Sequence, residues 1–149
     1  MKRLLLLCAL FLSGLACAQA AEAVWLTNYE SAARQAAAEK KMLVLDFTGS
    51  DWCSWCMRLD QEVFSQAEFL AYAKDHLVLV KLDFPRQKPQ TEAEKQQNER
   101  LSGKYKIEGF PTIVVLNPKG EKVGELGYEE GGPKTWLASL EKITRPAAK

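Results

Sequence analysis

Cys53-Ser54-Trp55-Cys56 is a Cys-x-x-Cys pair set just after an apolar run, Met42-Leu43-Val44-Leu45-Asp46-Phe47. A short continuous apolar run of this kind reads as a buried strand. Two residues between the cysteines let the sulfurs close a disulfide across one helical turn. A strand that feeds two cysteines at the start of a helix is an arrangement for thiol–disulfide chemistry. The first cysteine then lies at the helix N-terminus, where unpaired N–H groups and the helix dipole favour its thiolate. The thiolate is the nucleophile, so this geometry creates reactivity.

The compartment follows from the N-terminus. Lys2 and Arg3 form a basic region, Leu4 to Leu15 an apolar one, and Ala18-Gln19-Ala20 a small-x-small cleavage site. The apolar stretch is shorter than the roughly 20 residues a membrane-spanning helix needs. Residues 1–20 are therefore expected to be a signal peptide and residues 21–149 a single domain, exported to the periplasm or secreted. Ala21-Glu22-Ala23 offers a second cut. Gly14-Leu15-Ala16-Cys17 offers a different reading, acylation of Cys17 in a lipoprotein anchor, but Gly stands where that pattern has Leu. Plain cleavage is the preferred reading.

Cleavage removes Cys8 and Cys17 together with Lys2 and Arg3, leaving 18 basic against 19 acidic residues, a net charge of −1. This balance argues against a nucleic-acid partner or a polybasic membrane contact. Cys53 and Cys56 alone are too few to staple a small scaffold. In an oxidising compartment a solitary close pair reads as a working pair. Metal capture would need more ligands than two thiolates, and the single histidine, His76, lies outside the motif.

The rest of the chain alternates helices and strands. Thr27-x-x-Glu30 reads as a capping box opening an alanine-rich helix to about Lys41, after a short segment at Val24-Trp25-Leu26. Met42 to Thr48 is a strand, and Ser50 or Asp51 is expected to cap the cysteine-bearing helix. Ser65-x-x-Glu68 is a second box, opening a helix to about Lys74. Leu77 to Phe84 is a strand, Pro85 to Gln90 a loop, and Thr91-x-x-Glu94 opens a very polar helix to about Tyr105. Its run Glu92 to Arg100 reads as a solvated face. Thr112 to Leu116 and Glu121 to Leu126 read as strands joined by a turn at Asn117-Pro118-Lys119-Gly120. Gly131-Gly132 precede a last helix, with Pro133 in its first turn. Strands separated by helices imply parallel pairing, and the tight turn implies an antiparallel hairpin. The fold class is therefore α/β, with a central mixed β-sheet and helices on both faces.

Over essentially all of the mature chain, this pattern resembles the thioredoxin-fold family. The resemblance rests on four features in the family's order and spacing. They are Val44-Leu45-Asp46-Phe47 leading to Trp52-Cys53-Ser54-Trp55-Cys56, then Val80-Lys81-Leu82-Asp83, then Tyr105-Lys106-Ile107 with Gly109-Phe110-Pro111-Thr112, and the hairpin ending at Gly127. The Trp52-Cys53-x-Trp55-Cys56 variant behind a signal is similar to exported bacterial thioredoxin-like proteins and resembles the disulfide-reducing domains of the periplasm. Three features depart from the family. Asp46 lies seven residues before Cys53, one more than in ordinary thioredoxin. Ser54-Trp55 replaces Gly-Pro. Residues 85–100 are longer than the usual connection.

The resemblance implies roles. Cys53 is the attacking thiolate and Cys56 the resolving thiol. Asp46 lies beneath the cysteines near Lys81, where burial would raise its pKa and let it accept the Cys56 proton. The alternative for Asp46 is a structural ion pair with Lys81. Pro111 matches the family's cis-proline opposite the disulfide, with the backbone of Phe110 exposed to an extended substrate; the alternative is an ordinary trans turn proline. Trp52 and Trp55 flank the nucleophile and could form an apolar docking surface, Trp55 the more exposed and Trp52 the more packed. Tyr128-Glu129-Glu130 is a candidate rim of that surface. His76 is given no function.

The expected activity is thiol–disulfide exchange in the reducing direction. No cation lies between the cysteines, and Asp46 disfavours further negative charge nearby, so the reduced pair lacks the stabilisation of strong oxidants. The expected partners are disulfide-containing client proteins and, by analogy, a membrane electron donor of a periplasmic reductase pathway. The chain is expected to be a monomer, with the Cys53–Cys56 pair as its only redox group and no organic cofactor or metal. A disulfide oxidase or isomerase, and a non-catalytic client-binding or redox-sensing module, are the competing classes.

Overall fold

The computed structural model describes residues 24–145. The expected signal peptide, its cleavage sites and Cys17 lie outside the described residues. Five strands form one mixed sheet in the order β1-β3-β2-β4-β5. They are β1 (Trp25–Leu26), β2 (Met42–Thr48), β3 (Leu77–Asp83), β4 (Thr112–Leu116) and β5 (Lys122–Leu126). Strand β3 runs parallel to β1 and β2, while β4 is antiparallel to β2 and β5. This is the mixed sheet expected from the alternation of elements and the turn at Asn117.

Side chains alternate across each strand, so two cores form. Leu43, Leu45, Phe47, Val78, Val80, Leu82, Val114 and Leu116 face Ala32 and Ala36 of α1 (Tyr29–Glu39) and Leu101 of α4 (Glu92–Tyr105). Val44, Leu77, Leu79, Ile113 and Val115 face the opposite side. There they pack under α2 (Ser54–Leu59), α3 (Ala67–His76) and α5 (Gly132–Thr144), with Phe64, Phe69 and Trp136 at the centre. The same alternation fixes the polar positions. Asp46 shares the face of Val44, and Lys81 shares the face of Leu77 and Leu79. Both therefore point toward the cysteine-bearing helix, and they are register partners across β2 and β3.

Helix caps differ in part from the sequence patterns. The box at Thr91 and Glu94 forms as expected, with both reciprocal hydrogen bonds. The box at Thr27 does not: Asn28 is the N-cap of α1, and its Oδ1 accepts from the Ser31 N–H at 2.8 Å. Asn is a stronger cap than Thr, and here it lies one residue closer to the helix. Nor does Ser65 cap α3. It is in helical conformation, closing a π-helical turn (Asp60–Phe64) with its N–H bonded to the Asp60 and Val63 carbonyls, and the extended Gln66 takes the cap position. Ser50 and Asp51 do not cap α2. Cys53 itself does, its Sγ accepting from the Cys56 N–H at 3.2 Å.

Helix α4 buries only Asn98 and Leu101, so little apolar packing holds it. Amides do the rest. Asn98 Nδ2 donates to the Asp83 carbonyl at 2.8 Å, Gln97 Nε2 donates to the Thr27 carbonyl at 2.8 Å, and the Tyr29 N–H donates to Gln97 Oε1 at 2.9 Å. Most of the polar run is solvated, as expected, but Asn98 is an anchor.

Candidate active site

Both cysteines lie where β2 ends. The chain leaves Thr48, turns at Gly49 with the Cys53 N–H bonded to the Gly49 carbonyl at 2.9 Å, and enters α2 at Ser54. The turn needs glycine at position 49. A Cβ there would lie 2.5 Å from the Trp52 ring, inside any real contact distance. Cys53 and Cys56 form a disulfide with their Cα atoms 5.2 Å apart. They are only 6% and 4% exposed, so neither is much the deeper of the two.

Strand β4 brings the second half of the site. Phe47 pairs with Thr112 in the antiparallel register, so the residues before Thr112 extend past the end of β2 toward the cysteine turn. Those residues are Phe110 and Pro111, and the peptide between them is cis. Trp52, next to Cys53 in the chain, sets its ring edge-on to Phe110 at 5.8 Å between centroids. Its Nε1–H donates to the Phe84 carbonyl at 2.8 Å, and the Arg86 guanidinium lies 3.8 Å over its ring. Trp52 is thus packed on three sides. Trp55 is 51% exposed.

Asp46 sits under the pair. It is 4% exposed, and its Oδ1 has no hydrogen-bond partner among the described residues. Burial raises its pKa from 3.8 to about 7, against the attraction of Lys81 and with further upward push from Asp60 and Asp83. Lys81 does not hold it in an ion pair. The Lys81 Nζ lies 4.0 Å from Asp60 Oδ1 instead, and 5.6 Å from the Trp25 ring centroid. Asp46, Cys56, Asp60 and Lys81 line one cavity of 120 Å³, together with Thr48, Ser50 and Met57. A polar cavity of that size has room for water beside both Asp46 and Cys56.

The sequence reading missed Asp60. Its signal was the four-residue spacing from Cys56, which puts both on one helix face. It also missed the roles of Ser50 and Asp51. Ser50 donates from its N–H and its hydroxyl to the Asp83 carboxylate at 2.9 and 2.6 Å. The Asp51 carboxylate accepts the N–H groups of Arg86, Gln87 and Lys88 at 3.0, 2.7 and 3.0 Å. Those bonds hold the Asp51 pKa below the usual range and tie the long β3–α4 loop to the cysteine turn. His76 stacks on Tyr72 away from the pair, with ring centroids 4.5 Å apart.

Residues 24–118 match the model of a family described as thioredoxin-like. The chain belongs to this thioredoxin-like family. Disulfide bond reductase DsbH of Chlamydia pneumoniae is 34% identical over 118 residues, covering 79% of this chain and 71% of that protein. Thioredoxin-related protein DsbJ of the same organism is 31% identical over 111 residues, covering 72% of this chain but only 32% of its own length. Among solved structures, a DsbH oxidoreductase superposes with a TM-score of 0.75 at 32% identity, over 82% of this chain and 86% of that one. A cysteine pair closed as a disulfide, on this fold and among these relatives, makes the chain a thiol–disulfide oxidoreductase.

Proposed function

We propose that the chain reduces protein disulfides outside the cytoplasm, with Cys53 as nucleophile, Cys56 as resolving thiol and Asp46 as acceptor of the Cys56 proton. In the reduced chain the Cys53 thiolate attacks one sulfur of a client disulfide. A Cys53–client mixed disulfide forms, and the other client sulfur leaves as a thiolate that takes a proton from solvent. Cys56 then gives its proton to Asp46 and attacks Cys53 Sγ. The Cys53–Cys56 disulfide closes, and the second client thiol is released. The client gains two electrons and the chain loses two. A dithiol donor restores the pair; by analogy with periplasmic reductase pathways, a membrane-embedded electron carrier fills that role.

The observation that carries this reading is the placement of Asp46. It is a buried carboxyl of raised pKa in one cavity with Cys56, and such a group suits proton transfer near neutral pH. The direction draws support from the residues between the cysteines. Ser54 and Trp55 bring no cation to stabilise a Cys53 thiolate, and a carboxylate below the pair opposes further negative charge. The printed name of the Chlamydia pneumoniae relative, a disulfide bond reductase, agrees with it. Lys81 serves by moderating the Asp46 pKa. Trp52, Trp55, Phe110 and Pro111 form the surface that meets a client, with the Phe110 backbone pairing with an extended segment. The domain of residues 21–149 acts as a monomer behind a cleaved signal of residues 1–20, in the periplasm or outside the cell, and Cys17 leaves with the signal. The cysteine pair is the redox group, and the exchange needs no organic cofactor or metal.

The test is a pair of variants in the mature chain. With an oxidised client such as insulin, Cys56→Ser accumulates a covalent enzyme–client adduct released by dithiothreitol, and Cys53→Ser has neither turnover nor adduct. Turnover by Cys53→Ser would refute the assignment of the nucleophile.

A further inference from the structure

Trp55 is an exposed aromatic side chain two residues from the nucleophile, and it packs on its neighbours. Its ring lies against Tyr128 with 5.1 Å between centroids. The Arg58 guanidinium covers both rings, 5.4 Å from the Trp55 centroid and 5.2 Å from that of Tyr128. One carboxylate ties the group together. Glu62 Oε1 accepts from Arg58 Nε at 2.7 Å, and Glu62 Oε2 accepts from the Tyr128 hydroxyl at 2.6 Å. Both bonds lower the Glu62 pKa, the Tyr128 bond the more, so the carboxylate stays ionised.

The elements explain the meeting. Trp55, Arg58 and Glu62 follow one another along one helix face at spacings of three and four. Glu62 lies in the π-helical turn, a kind of turn frequent at functional sites. Tyr128 comes from the connection between β5 and α5, 66 residues away from Glu62 in sequence. The clasp therefore joins the active-site helix to a separate part of the chain.

We propose that Glu62 is a positioning residue for polypeptide clients: through Arg58 and Tyr128 it holds Trp55 as a fixed face beside Cys53, on which an apolar client side chain near the target disulfide rests. This rests on the reading that the chain reduces protein disulfides. A free tryptophan on a helix surface samples several rotamers and must be ordered when a client binds. Ordering one such side chain weakens binding by about two- to tenfold. The clasp meets that requirement in advance. A small disulfide, which reaches Cys53 without covering Trp55, gains nothing from it.

The experiment compares insulin with the small aliphatic bis(2-hydroxyethyl) disulfide as substrates for the mature chain and its Glu62→Gln, Tyr128→Phe and Trp55→Ala variants, with dithiothreitol as the electron donor and the uncatalysed rate subtracted. The expected result is a fall of about fivefold in the ratio of kcat/KM for insulin to that for the small disulfide, residing in KM. Tyr128→Phe follows Glu62→Gln in direction, and the double variant falls less than the two single effects multiplied, because both remove one clasp. Equal losses on both substrates would overturn the proposal in favour of a merely structural role, as would an unchanged ratio. Trp55→Ala separates the parts: if it leaves the ratio unchanged, Trp55 is not the client face and the proposal fails. A wild-type chain that turns over the small disulfide but not insulin overturns the protein-reductase reading and this inference with it.

Discussion

Asp46 carries its proton across a pH range in which an unfolded aspartate has lost it. Its pKa in the fold is about 7 against 3.8 for the free side chain. Between those values the folded chain binds more protons than the unfolded chain, so stability falls as pH rises. The contribution is fully present below about pH 4, declines through the interval and is lost above about pH 7. The penalty for ionising the buried group is on the order of 4 kcal/mol at its limit. Asp46→Asn should therefore stabilise the oxidised protein in urea melts by a few kcal/mol more at pH 8 than at pH 4. A gain that does not depend on pH would contradict the burial argument. The same substitution should slow decay of the mixed disulfide by about 100-fold at neutral pH. Asp60→Asn removes one of the charges that raise the Asp46 pKa, so it should move the pH profile of that decay downward. Asp46 was legible as a carboxylate set in an apolar strand, and the family resemblance placed it near Lys81. Asp60 was not, because its approach to Lys81 depends on how α2 lies over the sheet.

The loop between β3 and α4 shows at the element scale how one carboxylate can organise a segment. Asp51 binds three consecutive N–H groups in that loop, and Arg86 beside them covers Trp52. Asp51→Ala should speed amide exchange at Arg86, Gln87 and Lys88 while leaving β2 and β4 protected. Unchanged exchange at those amides would show that the proline-bearing loop holds its own shape. The sequence placed this loop and the strands around it but misread Asp51 as a helix cap. The three Ser/Thr-x-x-Glu patterns show why local signals reach only so far. Thr91 caps because the preceding loop delivers it extended. Ser65 has the same spacing, but the π-helical turn has already taken its backbone.

At the scale of the whole molecule, the α/β class, the mixed sheet and the antiparallel hairpin followed from alternation, helix-separated strands and one turn. The convergence of the cysteine turn with Phe110 and Pro111 could not be read from local pattern, because it rests on the register of β4 against β2. The family resemblance supplied that long-range information. Of the clasp, Trp55 and Tyr128 were legible as parts of a docking surface and its rim, while Arg58 and Glu62 carried no signal in the sequence.

The reduction potential of the Cys53–Cys56 pair tests the central claim most directly, measured by equilibrating the mature chain in dithiothreitol and glutathione buffers. A reductase of this design should lie near about −270 mV, the value of thioredoxin, low enough to pass electrons to misplaced client disulfides. A value near about −120 mV, that of a strong periplasmic oxidant, would contradict the account and make the chain a donor of disulfides.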